Sequence, residues 1–336
     1  VTNDDMPLFS FVVAGTIINV VPKQSFCPAF TCCAWQVLKT LKRFLMKFIR
    51  VKDGINAEEV KIAYSDYGSG KPIVLIHGWP LSREMWEYQL EDLVDAGFRV
   101  IKYDRRGFGK SDKPWNGYDY DTLAADLKEI IDQLNLQDVT LVGFSMGGGE
   151  VARYIGNYGT DRIAKAVFIS SVTPYLSKQD SNPDGVDPSV FAEMLEQIKT
   201  DRIGFLDEFG KKFFGVNLIS HPVSNALLDY YRMLGSFAAA RSTTQCAIAF
   251  AETDFRADLR SIDIPTLIIH GDADKTVPIE ASAERTASLI NGAKYLVYQG
   301  APHGLFYTHR QRLNADLVSF IKTGQTVYSN TEPLFA

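Results

Sequence analysis

Six short runs of nearly unbroken hydrophobicity constrain this chain more than any other feature: KPIVLIHG (71–78), RVIKYD (99–104), VTLVGF (139–144), IAKAVFIS (163–170), TLIIHG (266–271) and AKYLVY (293–298). A strand with one wet face alternates apolar and polar residues, whereas these runs are apolar on both faces and need cover on both sides. Amphipathic segments such as YDTLAADLKEIIDQL (120–134) lie between them and supply crossover helices. The expectation is an α/β protein with a mostly parallel central sheet flanked by helices. Between Ser171 and about Leu259 the strand-like runs stop, and a loop, YLSKQDSNPDGVDPS, leads into Phe-rich helical segments. This interval reads as an inserted helical lid. The expected division is a core at 46–174 and 259–322, a lid at 175–258 and a polar tail at 323–336.

With 336 residues, 46% of them hydrophobic, the chain can bury a large core in one big α/β domain or two ordinary ones. Its 35 Lys and Arg are scattered and the net charge is −5, which argues against a nucleic-acid partner. Near the N-terminus, Lys39, Lys42, Arg43, Lys47, Arg50 and Lys52 interleave with Leu38, Leu41, Leu45 and Phe48 at the spacing of a basic amphipathic helix. However, the apolar stretch at 8–22 is too short to span a bilayer, and Asp4 and Asp5 before it carry the wrong charge for a signal peptide. Residues 1–45 are therefore expected to lie outside the fold, as read-through or a cloning remnant ahead of a natural start at Met46 and its MKFIRV strand. A cleaved or membrane-apposed leader is the weaker alternative, and no stable membrane insertion is expected. Cys27, Cys32 and Cys33 fall in that segment without the CxxC spacing of a zinc site, which leaves Cys246 alone in the fold. A single thiol makes no internal disulfide, so a cytoplasmic, reducing location is expected.

Chemistry concentrates at the C-terminal ends of the strands, where open α/β sheets bind ligands. Gly143, Ser145 and Gly147 form GxSxG between a strand and a helix, the pattern of a sharp turn that lifts a serine nucleophile above the sheet. The helix that follows aims free N–H groups at any oxyanion formed there. A phosphate loop would need GxxxxGK[ST], which is absent. Of five histidines, His77 and His270 end strands and read as structural, His221 lies in the lid and His309 in the terminal helix. His303, in the loop QGAPHGLF, is left as the base. The acid is Asp272 or Asp274 of GDADK, although either aspartate suits the cap of a helix starting near Pro278.

The motifs HGWP, DRRGFGKSDKP, GFSMGGGE, ETDFR, HGDADKTVP and APHG occur in that order. Together they resemble the α/β-hydrolase fold and, within it, the cofactor-free haloperoxidase, perhydrolase and arylesterase family, from about Met46 to Lys322. The resemblance implies a triad of Ser145, Asp274 and His303, with Asp272 left as a loop residue, and an oxyanion hole from the Trp79 and Met146 amides. It also associates HGWP with perhydrolysis. Pro80 has no N–H and pushes Trp79 toward extended geometry, so that the Trp79 carbonyl is free to accept a hydrogen bond from peroxide. Phe144 adjoins the nucleophile, while Phe205, Phe209, Phe213 and Phe214 recur at near-helical spacing in the lid. The family's aromatic pocket favours Phe209 and Phe213 as substrate walls.

The implied function is an ester hydrolase working through an acyl-enzyme, with peracid formation giving metal-free haloperoxidase activity. Its partners are small esters, short carboxylic acids and hydrogen peroxide. No cofactor is implied, and HExxH, GxGxxG after the first strand and a clustered ligand set are all missing. Alternatives are a plain esterase or lactonase and, less favoured, a ligand-binding receptor of the same fold. Homo-oligomer formation stays open.

Overall fold

The computed structural model of the chain describes residues 9–13, 16–20, 46–52 and 59–328. Two compact units are present, Val1–Leu45 and Met46–Ala336. In the first, strands β1 (Phe9–Val13) and β2 (Thr16–Val20) pair antiparallel. Lys39, Lys42, Arg43, Cys27, Cys32 and Cys33 lie outside the described residues. Lys47, Arg50 and Lys52 belong to a strand, so their helical spacing does not produce a helix.

The second unit is built on eight strands: β3 (Lys47–Lys52), β4 (Glu59–Gly68), β5 (Pro72–Ile76), β6 (Arg99–Tyr103), β7 (Val139–Phe144), β8 (Ile163–Ile169), β9 (Thr266–Gly271) and β10 (Lys294–Tyr298). Their order across the sheet is β10-β9-β8-β7-β5-β6-β4-β3. β4 runs antiparallel to β3 and β6, and the remaining neighbours are parallel. All six apolar runs are strands. β4 is the strand that the apolar runs do not announce, because its first half alternates exposed and buried residues beside the sheet edge. Along β5, Ile73 and Leu75 join one core cluster while Val74 and Ile76 join the other, as the two-residue period of a strand covered on both faces requires.

The helices are α1 (Glu87–Asp95), α2 (Tyr120–Gln133), α3 (Met146–Tyr158), α4 (Pro188–Phe213), α5 (Asn225–Ser236), α6 (Ala240–Glu252), α7 (Arg256–Arg260), α8 (Ala283–Leu289), α9 (Leu305–Thr308) and α10 (Arg310–Thr323). α2 shows why such segments fold as they do. Asp119 caps its first turn by accepting the Thr122 N–H at 2.9 Å, and Leu123, Leu127, Ile130 and Ile131 form its buried face. α4 to α6 fill the interval between β8 and β9 with helix. Asp201 kinks α4 and restarts it by accepting the Gly204 N–H at 2.9 Å. Among the described residues, no helix is long and apolar enough to cross a membrane. β6 and β7 lie on opposite sides of β5, so the strand order reverses there and a crevice opens past the ends of β5 and β7.

Candidate active site

Ser145 follows β7 directly and precedes α3, with φ 53° and ψ −118°. This region is sparsely populated for an L-residue and costs about 1–3 kcal/mol. Its surroundings hold it there: the Ser145 N–H donates to Ile169 O at 2.8 Å, and its carbonyl accepts from Gly148 N at 3.0 Å. The two glycines are required by close approach. A Cβ on Gly143 would stand 2.4 Å from Gly147 O, and one on Gly147 would stand 2.5 Å from Ile76 O.

His303 reaches the serine from the turn between β10 and α9, and its Nε2 lies 3.0 Å from Ser145 Oγ. On its other side Nδ1 lies 2.6 Å from Asp274 Oδ2. A carboxylate only accepts, so Nδ1 donates and Nε2 is left to accept the serine proton. The three residues are 5%, 1% and 6% exposed, in the order Ser145, His303, Asp274, so the hydrogen bonds are shielded from water. Phe213 meets the His303 ring edge-on at 4.8 Å and Phe144 lies 5.0 Å from it. The Gly304 N–H donates to Phe213 O at 2.8 Å, which ties the histidine loop to the end of α4.

Asp274 does not cap a helix at Pro278, because α8 begins only at Ala283. Its Oδ1 instead accepts the Thr276 and Val277 amides, each at 2.8 Å, and closes its own turn. Its Oδ2 also lies 3.2 Å from His270 Nε2. Burial opposes ionisation of Asp274, but the adjacent His303 and the hydrogen bonds from His270 and His303 outweigh it, holding the carboxyl well below the usual carboxylate range. Asp272 accepts the Gly300 N–H at 2.6 Å and braces one loop against another.

Neither the Trp79 nor the Met146 amide has a hydrogen-bond partner among the described residues. Trp79 lies in a turn closed by the Leu81 N–H to Gly78 O at 3.1 Å, and the Trp79–Pro80 peptide is cis. Its indole donates to Thr243 O at 2.9 Å, and its ring packs against Phe209 at 5.3 Å and Phe250 at 5.5 Å. Trp79 is thus also a wall of the cavity.

Behind this turn, Arg105 and Glu150 form an ion pair in which both side chains are 1% exposed. Arg105 Nη2 donates to His77 O at 2.6 Å and its backbone N–H to His77 Nε2 at 2.9 Å. The Nδ1–H of His77 then donates to Gly78 O at 2.8 Å. Burial, and after it the Arg105 charge, push the His77 imidazole well below its ordinary value, in keeping with one ring nitrogen donating and the other accepting. Glu150→Ala would strand the guanidinium without its counter-charge. The expected cost is about 3–5 kcal/mol, read as a lower midpoint in chemical denaturation.

A cavity of about 290 Å³ opens from Ser145 and His303. Trp79, Val172, Leu176, Phe191, Met194 and Phe250 make it apolar, while Glu193, Gln197, Glu208 and Lys212 supply its polar lining. Of the aromatic residues expected here, Phe209 lines the cavity, as does Phe205. Phe144 and Phe213 do not line it and pack around the histidine instead. Pro80 faces a separate small cavity bounded by Leu81, Leu206 and Tyr231. Phe214 is buried beside Tyr231, at 5.0 Å. Sequence reasoning missed Val172, Leu176, Phe191, Met194 and Phe250, which are ordinary apolar residues with nothing in their spacing to mark them. Among the described residues, no group of three His, Cys, Asp or Glu side chains is placed to hold a metal ion.

The profile of the alpha/beta hydrolase fold matches residues 71–310. A non-heme haloperoxidase of Rhodococcus erythropolis is 43% identical over 279 residues, 83% of this chain and 100% of the relative. A bifunctional esterase/perhydrolase of Acinetobacter calcoaceticus is 38% identical, over 83% of this chain and 100% of the relative. The crystal structure of a bromoperoxidase from Bacillus anthracis superposes with a TM-score of 0.79 at 50% identity, covering 82% of this chain and 100% of that one. Relatives matched over nearly their whole length and a serine-bearing turn at the strand-order switch agree: the chain is an enzyme of the alpha/beta hydrolase fold and belongs to its non-heme haloperoxidase and esterase/perhydrolase family.

Proposed function

We propose that the chain hydrolyses carboxylic esters through a Ser145 acyl-enzyme and resolves part of that intermediate with hydrogen peroxide to give a peracid. The observation that carries this reading is the hydrogen-bonded chain from Ser145 Oγ through His303 to Asp274, set at the base of an apolar cavity. His303 takes the Ser145 proton as Oγ attacks the carbonyl carbon, and Asp274 stabilises the imidazolium. The unpartnered Trp79 and Met146 amides receive the negative charge on the carbonyl oxygen, each worth roughly 3 kcal/mol in the transition state. His303 then protonates the departing alkoxide. It next deprotonates water or peroxide, which attacks the acyl carbon and releases acid or peracid. A peracid released this way oxidises halide in solution, so the organic acid is the true co-substrate of halogenation. The similarity to an esterase/perhydrolase supports both branches. We further assign Met46 to Lys322 as the functional unit, with residues 1–45 outside it.

The test compares p-nitrophenyl acetate hydrolysis with acetate- and peroxide-dependent bromination of an indicator dye, using protein starting at Met46. Bromination that requires both acetate and Ser145 supports the proposal. Ester hydrolysis alone reduces the protein to a plain esterase, and failure to turn over repeatedly would leave a receptor. Pro80→Leu alters the turn that aims the Trp79 carbonyl without removing a triad residue. It is expected to lower bromination several-fold relative to ester hydrolysis, as measured by the ratio of the two rates. An unchanged ratio removes Pro80 from the peroxide step.

A further inference from the structure

A buried imidazole outside the three residues above also touches the reacting constellation. His270 is the penultimate residue of β9, four residues before Asp274, and none of its surface is exposed. Its Nε2 lies 2.9 Å from Val277 O and 3.2 Å from Asp274 Oδ2. A carbonyl only accepts, so the hydrogen sits on Nε2 and is shared between the carbonyl and the carboxylate. Nδ1 has no hydrogen-bond partner among the described residues. The ring is therefore held at one end, the end that meets Asp274.

The contacts of Asp274 divide between its two oxygens. Oδ1 is fixed by the Thr276 and Val277 amides, while among the described residues Oδ2 receives only the two imidazoles, His303 at 2.6 Å and His270 at 3.2 Å. The two Oδ1 bonds alone still leave the carboxylate some freedom to rotate about Cβ–Cγ, which would carry Oδ2 away from His303. His270 closes this freedom and braces Val277, whose amide holds Oδ1. We propose that His270 is a positioning residue of the triad, which holds Asp274 Oδ2 toward His303 and shares its negative charge. This inference rests on the triad reading of Ser145, His303 and Asp274.

The titratable side chains facing the Asp274 carboxylate are His303, from the loop after β10, and His270, from β9. Without the His270 donor, the full charge of Asp274 acts on the His303 proton. His270→Leu is expected to lower kcat for p-nitrophenyl acetate about 10- to 100-fold, with KM changed by less than about twofold. It should also move the acid limb of the kcat/KM profile to higher pH. His270→Gln, whose Nε2 also donates, should recover most of kcat and return the limb toward its original position. A merely structural histidine would lower thermal stability without moving the limb.

Wild-type kcat in a folded His270→Leu enzyme overturns the proposal, as does equal loss in the Leu and Gln variants with an unmoved limb. If His270→Leu does not fold, His270→Gln decides alone: kcat within about threefold of the parent supports positioning through the donor, and a greater loss rejects it. Ser145→Ala is run beside these variants. Retained activity there sinks the triad reading, whereas a dead Ser145→Ala with a fully active His270→Leu sinks only the role of His270.

Discussion

Ser145→Ala and His303→Ala are each expected to reduce ester hydrolysis and peroxide-dependent bromination together, by roughly 10^4-fold or more in kcat, with the melting temperature little changed. In the proposed mechanism both reactions pass through one acyl-enzyme, so neither should survive without the nucleophile or its base. The double variant should be scarcely worse than either single one, because residues acting as a unit lose their function once. Ser145→Ala removes a single oxygen, and the glycines on either side keep the turn sterically open. Loss of bromination with retention of ester hydrolysis in either variant would separate the two reactions and refute the shared intermediate. The measurements are steady-state rates for both reactions and a thermal melt of each variant.

Asp274→Asn is the second large effect, and it acts through the proton on His303. The Asn oxygen can still accept the Thr276 and Val277 amides, which turns its NH2 group toward His303 Nδ1. Two donors cannot face one another, so the imidazole keeps its hydrogen on Nε2, where it cannot receive the Ser145 proton. A fall of about 10^4 in kcat follows, with KM nearly unchanged. The same variant probes stability. The folded-state carboxyl of Asp274 lies below its unfolded value of about 3.9, so its ionisation contributes stability that is fully present above pH ~4. That contribution is lost as pH falls through the depressed folded value. Denaturation midpoints of wild type and Asp274→Asn should therefore converge on acidification below pH ~4, and a gap independent of pH would contradict the assignment.

Much of the fold is readable from local pattern because strands covered on both faces need continuous apolar runs. All six runs are strands, and the interval without runs holds α4 to α6. β4 escapes this reading because a half-wet antiparallel strand leaves only a short alternation. The Ser145 turn is equally local: Gly143 and Gly147 are needed where the backbone nearly touches itself. His303 follows from chain order and the poverty of histidines, while the choice of Asp274 over Asp272 came from family resemblance and not from spacing.

What lay beyond the sequence depends on where distant segments meet. Phe209 and Phe213 are four residues apart on one helix, yet Phe209 lines the cavity and Phe213 packs edge-on against the His303 ring, a division that their spacing does not announce. His270 reads from the sequence as a structural residue at a strand end, and only the fold brings its Nε2 to the Asp274 oxygen that meets His303. Local pattern accounts for the sheet and the strained serine turn, since backbone covering and steric exclusion act over a few neighbouring positions. Tertiary structure alone decided which apolar side chains wall the cavity and which donors share Asp274, because burial and hydrogen-bond distance are set by packing between elements far apart in the chain.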